Sequence, residues 1–261
     1  MSVLITFEGG DGSGKSTQAK MLFEHLEEKG FDVVLTHEPG GTAFGERCRY
    51  LLLEAPRVDK FIIDPRAQVL GFCTARAQLV AEQIIPRLEK PNTITICDRY
   101  ADSTIAYQVY GGGLSDRREE VERILSFATR NKKPDLTIYL DITVEEGLKR
   151  RQGRVKKEQE PHLFEEHQQL SFLASNHFDE QTMQFHVSVR EGYEWLIARE
   201  PERFWRISAE AEIEEVAKEI QERIPQWLEA QGLHPKSKRK KREKSDEITS
   251  TPLLDQTLRQ T

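Results

Sequence analysis

Lys15 and Ser16 follow a run that offers almost no side chains: Gly9, Gly10, Asp11, Gly12, Ser13 and Gly14. The stretch fits G-x-x-x-x-G-K-[ST]. It lies between a short apolar run, "VLITF" at 3–7, and a helical pattern that opens at Lys15. Successive backbone N–H groups can turn inward onto an anion only where no side chain stands in the way. The start of the following helix adds partial positive charge. The chemistry is the holding of a triphosphate. Gly9, Gly10, Asp11, Gly12, Ser13, Gly14, Lys15, Ser16 and Thr17 form the cradle, Lys15 reaches the β- and γ-phosphates, and Ser16 offers a hydroxyl to Mg²⁺.

What is done to the phosphates depends on groups farther along. "CDRY" (97–100) ends another apolar run. Asp98 there can serve Mg²⁺ directly or through water, and Arg99 can bind an acceptor phosphate with two parallel bonds. A plain Asp98–Arg99 structural pair is the alternative. Phe72 and Arg76 stand four apart, on one helix face, where a ring and a guanidinium could meet a planar base. Taken alone, Phe72 equally fits a core position. Ser103, Thr104, Tyr107 and Gln108 fall within about one helical turn just past Arg99 and could line the same pocket, or form a solvated helix start. Arg150, Arg151 and Arg154 cluster after a later apolar run. They suit a lid that brings positive charge onto a transferring phosphoryl group, or a basic solvated face.

The elements that must carry these groups alternate. Apolar runs at 3–7, 32–36, 93–97, 136–140 and 203–207 read as buried strands, with helical patterns at 15–29, 43–54, 65–88, 101–109, 116–130, 143–152 and about 210–230. "EPGGT" (38–42) is a turn. Strands alternating with helices imply an α/β fold: a parallel sheet covered by helices on both faces. Residues 155–186 are polar and rich in Glu and Gln, and read as a helical, mobile excursion. Residues 1–233 therefore form one domain, and 234–261 a disordered basic and polar tail around "KSKRKKREK".

The chain has 261 residues and a net charge of −6. The tail holds eight Lys/Arg against four Asp/Glu, which leaves the body near −10. A body so acidic is a poor general nucleic-acid binder; the basic tail could bind nucleic acid or an acidic partner, but reads foremost as solvated and dispensable. Cys48, Cys73 and Cys97 have no metal-type spacing and read as small apolar residues in a reducing compartment. No secretory leader and no apolar run near the roughly 20 residues of a membrane span is evident, so a cytoplasmic protein is expected.

In combination, "FEGGDGSGKSTQ", "EPGGT", "FCTARAQ", "CDRYADSTIAYQ", "PDLTIYLD" with "GLKRR", and "VREGYEWL" resemble the thymidylate kinases, of the P-loop nucleoside monophosphate kinase group. The stretches occur in the family's order over most of residues 1–210. The resemblance implies the P-loop NTPase fold: a five-stranded parallel sheet, helices on both faces, and a mobile helical lid at about 150–186. It implies phosphoryl transfer from ATP to dTMP, Mg²⁺ with the ATP, and a homodimer. Carried over by position, it implies that Phe72 stacks on thymine and Arg76 bonds the base edge. Thr104 or Gln108 reads the ring, Tyr107 disfavours a ribose, and Ser103 lines the pocket. Arg99 holds the acceptor phosphate, and Asp11 and Glu38 lie near the acceptor sugar and the metal. A kinase for another nucleoside monophosphate, or a non-catalytic nucleotide binder, are the rival readings.

The chain also departs from the pattern. His37 stands where the family commonly has arginine before "EPGGT". The return from the lid reads "NHFDEQ" (176–181), with His177 at an expected arginine, after extra inserted residues. Position 12 is glycine, where some members place an arginine in the phosphate loop. In such a chain the lid must supply the charge, so one of Arg150, Arg151 and Arg154 is expected at the ATP phosphates, with Arg154 or Arg150 foremost and Lys15, Asp11 and Arg99 completing the catalytic set.

Overall fold

Each of the five apolar runs is a strand. The computed structural model describes residues 1–158 and 183–236. The strands are β1 (Val3–Gly9), β2 (Asp32–His37), β3 (Thr93–Asp98), β4 (Leu136–Asp141) and β5 (Phe204–Ser208). They form one sheet in the order β2-β3-β1-β4-β5, and every pairing is parallel. The order reverses around β1, so the crevice beyond the carboxyl ends of β1 and its neighbours is where an open sheet of this kind receives a ligand.

Side chains alternate across β1 with the strand period of two. Val3, Ile5 and Phe7 point to one face, where they pack on Leu22 and Leu26 of α1 (Lys15–Glu28) and on Ile220, Ile224 and Leu228 of α8 (Ile213–Ala230). Leu4 points to the other face, toward Leu79, Cys97 and Tyr100. That face is covered by α3 (Pro65–Leu79), α4 (Ala101–Thr104), α5 (Arg118–Ala128) and α7 (Met183–Arg199). The described body also holds α2 (Ala43–Arg49) and α6 (Val144–Glu158). Among the described residues no helix is long and apolar enough to cross a membrane. The cysteines are free, with Cys73 and Cys97 buried and Cys48 partly so.

The long helical patterns are interrupted in a way that apolar spacing does not register. After α2 the chain widens into a π-helical turn, Tyr50–Glu54, before a short helix Ala55–Val58; after α3 it does the same at Val80–Ile84, before Ile85–Leu88. Both wide turns run straight into a proline at the start of the next turn, Pro56 and Pro86. Proline has no N–H to donate and its ring crowds the carbonyl four residues back, so a locally wider turn relieves the conflict. A third π turn, Ile105–Gly111, continues α4 and carries Tyr107 and Gln108.

The second face of the sheet also holds a polar seam. Thr6 and Thr137 hydroxyls meet at 2.9 Å, and Arg203 reaches Thr137 Oγ1 at 2.6 Å and both carboxylate oxygens of Asp102 at 2.6 and 3.0 Å. Contacts with the body continue past Leu233. Lys236 N–H donates to Gly30 O at 2.8 Å, its ammonium lies 2.7 Å from Asp32, and His234 exchanges two hydrogen bonds with Asn92. The expected domain edge at 233 is thus three residues short of the last body contacts described. Ser237–Thr261, and with it most of the basic tail, lies outside the described residues.

The buried Arg203–Asp102 pair sets a stability test. Arg203→Ala strands a buried carboxylate, and urea unfolding is expected to show a loss of about 3–5 kcal/mol. The double change Asp102→Asn with Arg203→Met is expected to recover most of it.

Candidate active site

The phosphate loop leaves β1 at Gly9 and enters α1 at Lys15. Lys15 curls back over the loop: its Nζ donates to Gly10 O at 2.7 Å and to Ser13 Oγ at 3.2 Å. Burial pulls the ammonium down to about 8 and Arg99 adds to this, while Asp11, Asp98 and Glu8 pull it back. Gly12 has φ +77°, and a Cβ there would stand 2.1 Å from Gly147 O. The reciprocal holds: a Cβ on Gly147 would stand 2.5 Å from Asp11 O. Two bare backbones therefore meet where the first turns of α6 pack on the loop.

Asp11 is the hub of the loop's rim. Its Oδ1 accepts from Arg99 Nη2 at 2.9 Å and from Tyr107 Oη at 2.7 Å, and its Oδ2 accepts from Arg151 Nη1 at 3.1 Å. Burial alone would raise the Asp11 carboxyl, but Arg99, Arg151 and Lys15 hold it far below the usual carboxylate range. Arg99 lies over the Tyr107 ring at 4.7 Å and has φ +68°, a left-handed conformation that few non-glycine residues adopt. Asp98 and Arg99 do not pair with each other. Asp98 Oδ2 instead accepts from Ser16 Oγ, and Asp98 Oδ1 is buried with no hydrogen-bond partner among the described residues. An orphaned carboxylate oxygen beside a serine hydroxyl suits a hard cation such as Mg²⁺, which takes oxygen ligands. Among the described residues no cluster of three or more His, Cys, Asp or Glu could hold a metal alone, so phosphate oxygens and water must complete any such coordination.

Arg76 lies 2% exposed with its donors engaged. Nε donates to Glu38 Oε2 at 2.8 Å, Nη1 to Thr104 Oγ1 at 3.0 Å, and Nη2 to Tyr100 O at 3.0 Å. Glu38 is thus held at Arg76, and its Oε1 has no partner among the described residues. Burial pushes the Glu38 carboxyl up and Arg76 opposes this. Phe72 is half-buried and joins none of the three core clusters. Gln108 is buried, with Nε2 3.4 Å from Gln68 Oε1. His37, the departure before the turn, lies 3.1 Å from Glu46.

The basic cluster divides. Arg150 donates to Ala209 O at 2.6 Å, to Glu210 O at 3.0 Å and to Glu146, so it is tied to the loop after β5. Arg151 is the member that reaches Asp11. Adjacent helical residues point about 100° apart, so in this arrangement only one of the two faces the loop, and it is Arg151. The Arg154 side chain, His177 and most of the expected lid lie outside the described residues. Sequence reasoning also missed Arg49 and Glu8. Burial holds the Arg49 guanidinium low while Glu46, Glu54 and Asp98 support it. Glu8 is wholly buried under Arg99. Burial pushes it up to about 7 and Asp102 adds to this, against Ser103, Arg99 and Tyr193. Nothing in the strand pattern marks Glu8 beyond its being a charged end to an apolar run.

Comparison with known proteins agrees with this geometry. Residues 7–220 match the family model described as Thymidylate kinase. A thymidylate kinase of Roseiflexus sp. (strain RS-1) is 43% identical over 84% of this chain and 92% of its own length. One from Pelobacter propionicus is 39% identical, again over 84% of this chain and 92% of its own. Among solved structures, the thymidylate kinase of Ehrlichia chaffeensis superposes with a TM-score of 0.62 at 29% identity, covering 86% of this chain and 98% of that one. The sheet order and flanking helices are those of the P-loop NTPase fold. With the phosphate loop, the Arg99 turn and the Phe72–Arg76 helix all inside one continuous match, the chain belongs to the thymidylate kinase family.

Proposed function

We propose that the chain transfers the γ-phosphoryl group of ATP to the phosphate of dTMP, giving dTDP and ADP. The observation that carries this is the Asp11 hub, which holds an acceptor-side arginine, Arg99, and a donor-side arginine, Arg151, at the lip of the phosphate loop. Phosphoryl transfer asks for alignment and charge neutralisation more than for covalent chemistry by the protein. In this reading Gly9–Thr17 cradle ATP, and Lys15 neutralises its terminal phosphates. Arg99, with Arg49 across from it, binds the acceptor phosphate. Phe72 stacks on the base, and Arg76, with Thr104 and Gln108, reads its edge. Tyr107, anchored on Asp11, walls the sugar. Ser16 and Asp98 would hold Mg²⁺, which would supply neutralisation of the phosphate charge. The exposed Phe44, Leu51 and Leu70, on and beside α2 and α3, support a homodimer through that face. A cytoplasmic location agrees with this chemistry.

An acceptor panel with ATP and Mg²⁺ tests the assignment. dTMP is expected to be the best acceptor, and dUMP to be weaker by about 10–200-fold in kcat/KM for want of one methyl. Equal use of dGMP would overturn it, and no turnover with any acceptor would favour a non-catalytic nucleotide binder.

The Lys15 ammonium gives a pH test. Its charged form binds phosphate, and that form is lost as pH rises through about 8. ATP affinity of the free protein is expected to fall above that pH, and the slope to vanish in Lys15→Ala, measured by calorimetric titration at several pH values.

The divided arginines give a third test. Arg151→Ala is expected to lower kcat by about 10²–10³, as for loss of one charge-stabilising donor, with little change in the KM for dTMP. A wild-type kcat in that variant would remove Arg151 from the reaction.

A further inference from the structure

Glu8 is the last large side chain of β1 before the phosphate loop, and it is 0% exposed. It lies on the same face of the strand as Leu4 and Thr6, so it points under the turn that carries Arg99. Four donors converge on it. Oε1 accepts from Tyr100 N–H at 2.8 Å and from Ser103 N–H at 3.3 Å. Oε2 accepts from Ser103 Oγ at 2.6 Å and from Tyr193 Oη at 2.8 Å.

An ionised carboxylate can only accept. It therefore draws the hydroxyl protons of Ser103 and Tyr193 toward itself, which leaves the lone pairs of Ser103 Oγ for another donor. That donor is Arg99 Nη1, at 3.2 Å. The Tyr100 N–H bond acts on the backbone as well. It pins the residue after Arg99, whose left-handed φ of +68° must be held by its surroundings. Tyr193 brings α7 into the same arrangement, and Arg203 keeps the neighbouring Asp102 carboxylate occupied elsewhere.

We propose that Glu8 is a positioning residue for the acceptor phosphate: through Ser103 and the Tyr100 peptide it fixes the guanidinium of Arg99, and Ser103 serves Arg99 rather than the nucleotide. This rests on the assignment of Arg99 to the phosphate of dTMP. Glu8 itself touches no substrate. The phosphate-free nucleoside thymidine separates its effect from general damage, since thymidine uses the base and sugar contacts and not Arg99.

The test is Glu8→Gln at pH 8, with Ser103→Ala alongside, read as KM for dTMP, KM for ATP and the inhibition constant of thymidine. Glu8→Gln keeps the side-chain volume but can present a donor to Ser103 and Tyr193. Both variants are expected to raise the KM for dTMP by about tenfold or more, the cost of a weakened bond to a charged group. The thymidine constant and the KM for ATP are expected to stay within about twofold, and the double variant to be no worse than the worse single one. Equal weakening of dTMP and thymidine, or a wild-type KM for dTMP in both variants, would overturn the proposal. If Glu8→Gln fails to fold, Ser103→Ala and Tyr193→Phe, each the loss of one hydroxyl, carry the same comparison. Failure of the wild-type protein to phosphorylate dTMP would instead strike the assignment of function, and the same assay shows it.

Discussion

Several cations crowded around one partly buried loop repel one another strongly, because the protein interior screens charge less than bulk water does. Lys15, Arg99 and Arg151 are brought together at the end of β1, and Asp11 makes that tolerable. The carboxylate comes from inside the loop, so the element that needs the positive charge also carries the counter-charge that gathers it. The depressed Asp11 pKa is the thermodynamic sign of this: removing its negative charge would leave the arginines facing each other. The same device recurs at Arg76 and, a second time, at Arg99. Arg76 rests on Glu38, and Arg99 is backed by Glu8 through Ser103. Each cation is oriented by a buried acid at the end of one of the first two strands.

The two faces of the sheet divide the labour. On one, Val3, Ile5 and Phe7 meet α1 and α8 in an apolar contact that needs no direction. On the other, Thr6, Glu8, Thr137 and Asp102 meet hydroxyls and guanidinium groups, where distance and angle matter. The helices of that second face, α3, α4 and α7, carry Phe72, Arg76, Thr104 and Tyr193, and the π turn that extends α4 carries Tyr107. A rigid apolar half thus serves as the base for a directional polar half.

What could be read from the chain follows from which signals are local. The strands were legible because each is a short apolar run bounded by polar or turn residues, and the loop because glycine, lysine and serine at fixed spacing have a shared physical cause. The π turns were not, since a single widened turn leaves the apolar period almost unchanged, although Pro56 and Pro86 marked two of the three. The choice between Arg150 and Arg151 depends on which helix face meets the loop, and that is set by a contact with Gly12 from 135 residues away. Glu8 was invisible for a related reason. A charged residue closing a strand looks like a boundary, and only the return of α4 and α7 over the sheet shows that it is enclosed.

The contact between Gly12 and Gly147 bears on how such an enzyme can change over generations. A loop arginine at position 12, as the resemblance to the family offers, and the present seat of α6 exclude each other by simple occupancy of space: any side chain at 12 enters the backbone of Gly147. A single substitution toward the loop arginine would unseat the helix that carries Arg151 before the new guanidinium could replace it.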